Sequence, residues 1–148
     1  IVLIRRRAEA SAATTVQRYF KRSFDSLDAV FRFIEDFLRA KAIDPGLREP
    51  VDFIVEELFT NMVKYNPDNA HDIALALGCT PDKLTVRLID FDVDPFDVTR
   101  APAVDIDKPL QDRQIGGLGL HIVRQMADTL RYEFADRRST ITFTMSLG

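Results

Sequence analysis

The stretch "TITFTMSL", residues 140–147, alternates without a break. Ile141, Phe143, Met145 and Leu147 fall on one side, and Thr142, Thr144 and Ser146 on the other. Successive strand side chains point to opposite faces, so this stretch reads as a strand with one apolar face and one polar face. Ile73, Leu75 and Leu77 repeat the pattern before the turn-like "GCTPD", and Leu84, Val86 and Leu88 repeat it after. A further strand is predicted over Arg131–Ala135, with "DRRS" as the turn into the last strand. Strands joined by such short turns pair antiparallel, and an apolar face on one side only asks for helices on one side only. The weakest strand signal lies in Thr14–Phe24, where Val16 and Phe20 share a parity but Arg18 interrupts them.

Helical spacing fills the gaps. In "SFDSLDAVFRFIEDFLRAKAID" the stripe is Leu27, Val30, Phe31, Ile34, Phe37 and Leu38, with Asp25 or Ser26 as N-cap. In "DPGLREPVDFIVEELFTNMVKYNPDN", Asp44 caps a second helix and Pro45 suits its first turn. Pro50 predicts a kink or restart, and Asn66-Pro67 ends the helix. A glycine-led third helix follows at "IGGLGLHIVRQMADTL". Before it lies a connection of residues 91–115 with three prolines, far longer than usual and therefore a candidate functional loop. The expected architecture is α+β, a two-layer sandwich with a mostly antiparallel sheet, in a single domain spanning 1–148.

Composition removes some function classes. A net charge of −3 argues against a general nucleic-acid binder. No apolar run approaches the ~20 residues of a membrane span. "IVLI" at the start reads as a strand or as the remainder of a longer chain, since its arginines follow rather than precede it. One cysteine, Cys79, cannot close an internal disulfide, and this fits a cytoplasmic setting.

Three places could carry chemistry. On the second helix Val51, Val55, Leu58 and Met62 form the core stripe at about 100° per residue. Glu57, Asn61 and Lys64 fall along its edge, while Glu56 points to solvent. A carboxylate and an amide on one line could hold a water and a cation, although the spacing is equally that of a helix-surface pair. Asp90 follows the inward parity of Leu84, Val86 and Leu88. It is either a strand-end cap or a buried carboxylate that needs a donor. The aspartates of "DFDVDPFD" are not a calcium loop, because Pro95 and Ala101 stand where such a loop needs Gly and Glu. Finally, "GGLGL" opens a helix, where free N–H groups and glycines suit a phosphate. Neither His71 nor His121 belongs to a metal-ligand pattern.

Taken in order, "VEELFTNMVKY", the strand-ending Asp90, "DPFD" and "IGGLGLHIVRQMAD" resemble the nucleotide-binding fold shared by histidine kinases, gyrase-type ATPases and anti-sigma-factor serine kinases (the Bergerat or GHKL fold). The likeness covers about residues 15–147 and is closest to the small anti-sigma-factor kinases. It implies ATP and Mg²⁺ as cofactors. By resemblance Asn61 holds Mg²⁺ against the phosphates, Glu57 is the general base toward a substrate serine, and Lys64 reaches a phosphate. Asp90 accepts from the adenine amino group, Gly116, Gly117 and Gly119 offer backbone N–H groups to phosphate, and Thr140 lies near adenine. Residues about 97–115 would be the ATP lid. The resemblance further implies a protein serine/threonine kinase that phosphorylates an anti-anti-sigma (STAS-type) partner, sequesters a sigma factor or similar regulator, and forms a homodimer. Asp92 stands where the family carries glycine, so its side chain is expected where the base enters. Tyr65 replaces a frequent histidine. These departures define the alternative: a non-catalytic partner-switching interaction module with a degenerate nucleotide site.

Overall fold

The computed structural model describes residues 15–100 and 117–147. Five strands form one sheet: β1 (Val16–Phe20), β2 (Ile73–Cys79), β3 (Lys83–Phe91), β4 (Thr129–Ala135) and β5 (Arg138–Ser146). Their spatial order is β1-β2-β3-β5-β4. Every neighbouring pair is antiparallel. Three helices are described: α1 (Leu27–Ala40), α2 (Arg48–Tyr65) and α3 (Gly117–Met126). The architecture is the expected two-layer α+β sandwich.

The register explains the core. In β3, Leu84, Val86, Leu88 and Asp90 are buried and alternate with exposed or half-buried residues. In β5, Ile141, Phe143 and Met145 share that face. Val86 pairs directly with Phe143, and Leu77 with Val86, so apolar side chains line up across three strands. Against them α1 sets Val30, Phe33, Ile34, Phe37 and Leu38, and α2 sets Val51, Val55, Leu58 and Met62. Each such residue gains ~1.5–3 kcal/mol from leaving water. On the far face β5 presents Thr140, Thr142 and Thr144.

Local details differ from the sequence reading in three ways. Phe33, not Phe31, completes the buried stripe of α1. Ser26 makes no side-chain cap; the capping lies one turn earlier, where Ser23 Oγ accepts from the Asp25 N–H at 3.1 Å. Pro50 neither kinks nor restarts α2, because it is the third residue of the helix, in the first turn, where an N–H has no intrahelical partner to lose. Asp44 does cap as expected: its Oδ1 accepts from the Gly46 N–H at 2.9 Å at the head of a 3-10 turn, Pro45–Leu47, that leads into α2.

Beyond β3 the chain is held from three sides. Asn69 Nδ2 donates to the carbonyls of Phe91 at 2.7 Å and Asp92 at 3.1 Å. The Val93 N–H donates to the Arg137 carbonyl at 3.0 Å, and the Phe96 N–H to the Tyr132 hydroxyl at 2.9 Å. A short 3-10 turn, Val98–Arg100, follows. Most of the expected lid, and Gly116, lie outside the described residues.

Candidate functional site

A cleft opens where α2 passes the ends of β3 and β5. It encloses about 40 Å³, and Asn61, Met62, Tyr65, Asp90, Phe96 and Ser139 are among its lining residues. Two predicted site residues, Asn61 and Asp90, therefore meet here from different elements. Asp90 arrives by strand parity and is 2% exposed. Its carboxylate pairs with the Arg22 guanidinium, and both side chains are buried. Arg22 also donates to the Met62 carbonyl at 3.0 Å and the His71 carbonyl at 3.3 Å. Asp90 thus has the donor that a buried carboxylate requires.

Asn61 is held by its own helix. Its Nδ2 donates to the Glu57 carbonyl one turn back at 2.7 Å. Its Oδ1 is buried and has no hydrogen-bond partner among the described residues. An orphaned buried oxygen is costly. A hard cation prefers oxygen ligands, and Mg²⁺ is commonly held by one or two protein oxygens plus phosphates and water. The residue fits that role. Among the described residues no group of three or more His, Cys, Asp or Glu side chains is placed to hold a metal ion.

Glu57 lies beside the cleft rather than in its wall. Its carboxylate packs on Gly119, the third residue of α3, where any Cβ would fall on the carboxylate atoms. Burial raises the Glu57 pKa, the neighbouring Glu56 charge raises it further, and Lys64 lowers it in part. A carboxyl group pushed upward is closer to the range of a working base. Lys64 itself is exposed and does not line the cleft. Gly117 begins α3 and Gly119 meets Glu57, so the glycine-led helix start does come up to α2.

Thr140 is not brought to the cleft. Antiparallel register sets it opposite Ile89 and Glu133 on the far face, whereas its neighbour Ser139 pairs with Asp90 and lines the cleft. Asp92 also departs from expectation. Its φ is +57°, the left-handed region that glycine would supply and that aspartate tolerates. Its side chain turns outward, accepting from Arg137 Nε at 2.9 Å, while Arg137 also pairs with Asp94 at 3.0 Å. The guanidinium hydrogen bond holds the Asp92 carboxyl below its usual range. The side chain is exposed and is not among the residues that line the cleft.

The pattern of the histidine kinase-like ATPase domain matches residues 20–145. The chain belongs to the histidine kinase-like ATPase domain family. This ATPase-family domain is 31% identical over 84 residues to the serine-protein kinase RsbW of Halalkalibacterium halodurans, a match covering 54% of the chain and 51% of that relative. The chain thus spans about half the length of the curated relative it matches. The RsbU and RsbW domains of a Mycobacterium tuberculosis protein superpose with a TM-score of 0.64 at 12% identity, covering 90% of this chain and 32% of the other. A SiaB–SiaC complex from Pseudomonas aeruginosa gives a TM-score of 0.61 at 13% identity, covering 97% and 96%. At these identities the structures show the shared fold.

Two residues of this histidine kinase-like ATPase domain escaped the sequence reading. Arg22 was one of several basic residues near the start, and its contact with Asp90 spans 68 positions. The demand for a donor at an inward Asp90 was the only signal. Ser139 was readable, since Ile141 is inward and 139 shares its parity. Among the described residues no helix is long and apolar enough to cross a membrane.

Proposed function

We propose that this chain is a cytoplasmic, ATP-dependent protein serine/threonine kinase of the anti-sigma-factor type. It takes ATP with Mg²⁺ in the cleft, phosphorylates an anti-anti-sigma (STAS-type) partner, sequesters a sigma factor or similar regulator, and works as a homodimer of single domains. The observation that carries this reading is that an unpartnered Asn61 Oδ1 and the buried Asp90 carboxylate belong to residues lining one cleft. One would meet a cation, the other a base edge. Bound Mg²⁺ would neutralise charge on the phosphates. Glu57 would accept or orient the proton of a serine hydroxyl, helped by its raised pKa. The first turn of α3 would present N–H groups to phosphate. The serine-protein kinase name of the 31% identical relative supports the same reaction class.

A second reading is favoured by the cleft itself. At about 40 Å³, with the Tyr65 and Phe96 rings 4.7 Å apart at its wall, it is narrower than ordinary ligand pockets of roughly 300–1,000 Å³. The chain would then be a non-catalytic interaction module. Titration calorimetry with Mg-ATP decides between them. Saturable binding that is weakened in D90N is expected; absence of heat at millimolar nucleotide in wild type overturns the kinase reading and leaves the module.

A further inference from the structure

We propose that Arg22 is the positioning residue through which Asp90 selects a hydrogen-bond-donating base edge, so that the cleft takes a 6-amino purine nucleotide in preference to a 6-oxo one. The inference rests on the nucleotide reading above and adds a residue that lies outside the family motifs quoted from the sequence.

Geometry supports it in three steps. First, the guanidinium is fixed. It donates to Met62 O near the end of α2, to His71 O just before β2, and to the Asp90 carboxylate near the end of β3. An arginine offers five donors in a rigid fork, so contacts with three segments leave it no freedom to swing. Second, it stands behind the carboxylate. Asp90 is among the cleft-lining residues and Arg22 is not, while the Arg22 side chain is only 3% exposed. The cation therefore does not compete with a ligand for the cleft side of Asp90. Third, the paired carboxylate is an acceptor-only group. Whatever meets it from the cleft must donate. With position 6 of the purine set against it, the exocyclic amino group of adenine donates and the 6-carbonyl of guanine does not. Guanine's own donors, N1–H and the 2-amino group, reach the carboxylate only if the base shifts from that seat, and a site built around one polar pattern rejects the analogue that leaves it unpaired. With the guanidinium gone, Asp90 loses the contact that orients it and is free to turn toward water, and the oriented acceptor goes with it.

The test is calorimetric titration of the purified chain with Mg-ATP and Mg-GTP, with a thermal melt for each variant. Wild type is expected to prefer ATP. R22M is expected to melt cooperatively, to lose about tenfold or more in ATP affinity, and to lose little for GTP, so that the preference collapses. R22K keeps the charge on a single point donor and should fall between. In a D90N background R22M should change neither affinity, because Arg22 acts through Asp90. An ATP-to-GTP ratio unchanged in folded R22M overturns the assignment. If R22M does not fold, the ratio in R22K and R22Q decides in the same way. Equal wild-type affinities for the two nucleotides overturn the selectivity claim alone. Failure of wild type to bind either nucleotide instead overturns the nucleotide reading on which it rests.

Discussion

The Glu57 carboxylate occupies the space that a side chain on Gly119 would fill. The glycine is thus as much a fitting surface for the acid on α2 as a candidate phosphate contact. The first turn of α3 can approach Glu57 only because residue 119 has no Cβ. A G119A substitution must displace the carboxylate, which ends a flexible side chain and can give way. G119A should therefore fold, with a stability loss of about 1–2 kcal/mol from strain at this contact. In an E57A background the obstruction is gone, and alanine is the better helix former by ~1 kcal/mol. There G119A should be neutral or stabilising. Chemical denaturation of the four proteins gives the coupling energy, expected at about 1–3 kcal/mol. A coupling near zero would show that Glu57 does not rest on residue 119.

The raised pKa of Glu57 has consequences of opposite sign for activity and stability. Burial is its leading cause, followed by repulsion from Glu56, with Lys64 opposing. As a general base Glu57 acts when deprotonated, so phosphotransfer should rise with pH through its raised pKa. Removing the Glu56 charge in E56Q should move that acid limb to lower pH, and K64M should move it to higher pH. Stability runs the other way. A carboxyl group with a folded-state pKa above its unfolded value binds protons more tightly when folded, so stability falls as pH rises between the two values. At neutral pH the charged form carries a small cost, reduced by solvent because the group is only half-buried. E57Q should abolish phosphotransfer while raising the melting temperature by about 1–2 °C at pH 7. A pH-rate profile that is identical in E56Q and K64M would remove Glu57 from the base role.

Much of this arrangement was readable from the chain because it follows from two periods. Parity along β3 and β5 set the inward residues, including Asp90, and the 3.6-residue repeat of α2 put Asn61 on the core edge. What failed were single positions where periodicity leaves a choice. Phe31 and Phe33 are both near the α1 stripe, and tertiary packing selected Phe33. The resemblance sets Thr140 near adenine, whereas the inward parity of Ile141 assigns the place in the cleft wall to Ser139. Pro50 looked like an interruption because the start of α2 could not be located to within one turn. Arg22 could not be found at all from local pattern, since its partner is distant in sequence and near only in the fold.

Asp92 was expected to obstruct the cleft, and its backbone explains why it does not. At φ +57° the residue performs the turn that a glycine would perform, and its carboxylate leaves toward Arg137. Aspartate tolerates this region and alanine does not. D92G should melt within about 2 °C of wild type, the loss of the exposed ion pair offsetting the easier backbone. D92A loses the pair and keeps the strain, and should melt about 2–6 °C lower. Neither should change nucleotide affinity by more than about threefold, because the side chain faces away from the cleft. Differential scanning fluorimetry and calorimetric titration check the two halves. A D92G variant that binds nucleotide far more tightly than wild type would restore Asp92 as an obstruction.

Asn61 offers the sharpest separation of function from stability. Its Nδ2 makes one hydrogen bond to the Glu57 carbonyl, worth about 1 kcal/mol, while its buried Oδ1 has no partner among the described residues and costs a similar amount. Removing both groups in N61A should nearly cancel, leaving the melting temperature within about 3 °C of wild type. Ligand binding should not be so forgiving. If Oδ1 is the protein ligand of Mg²⁺, the cation should tighten ATP binding to wild type and give no such gain in N61A. Calorimetric titration of ATP with and without Mg²⁺ reads this difference directly. A melting temperature lowered by ~8 °C or more would mean that the fold itself depends on Oδ1, and a Mg²⁺ effect retained in N61A would place the cation on another group.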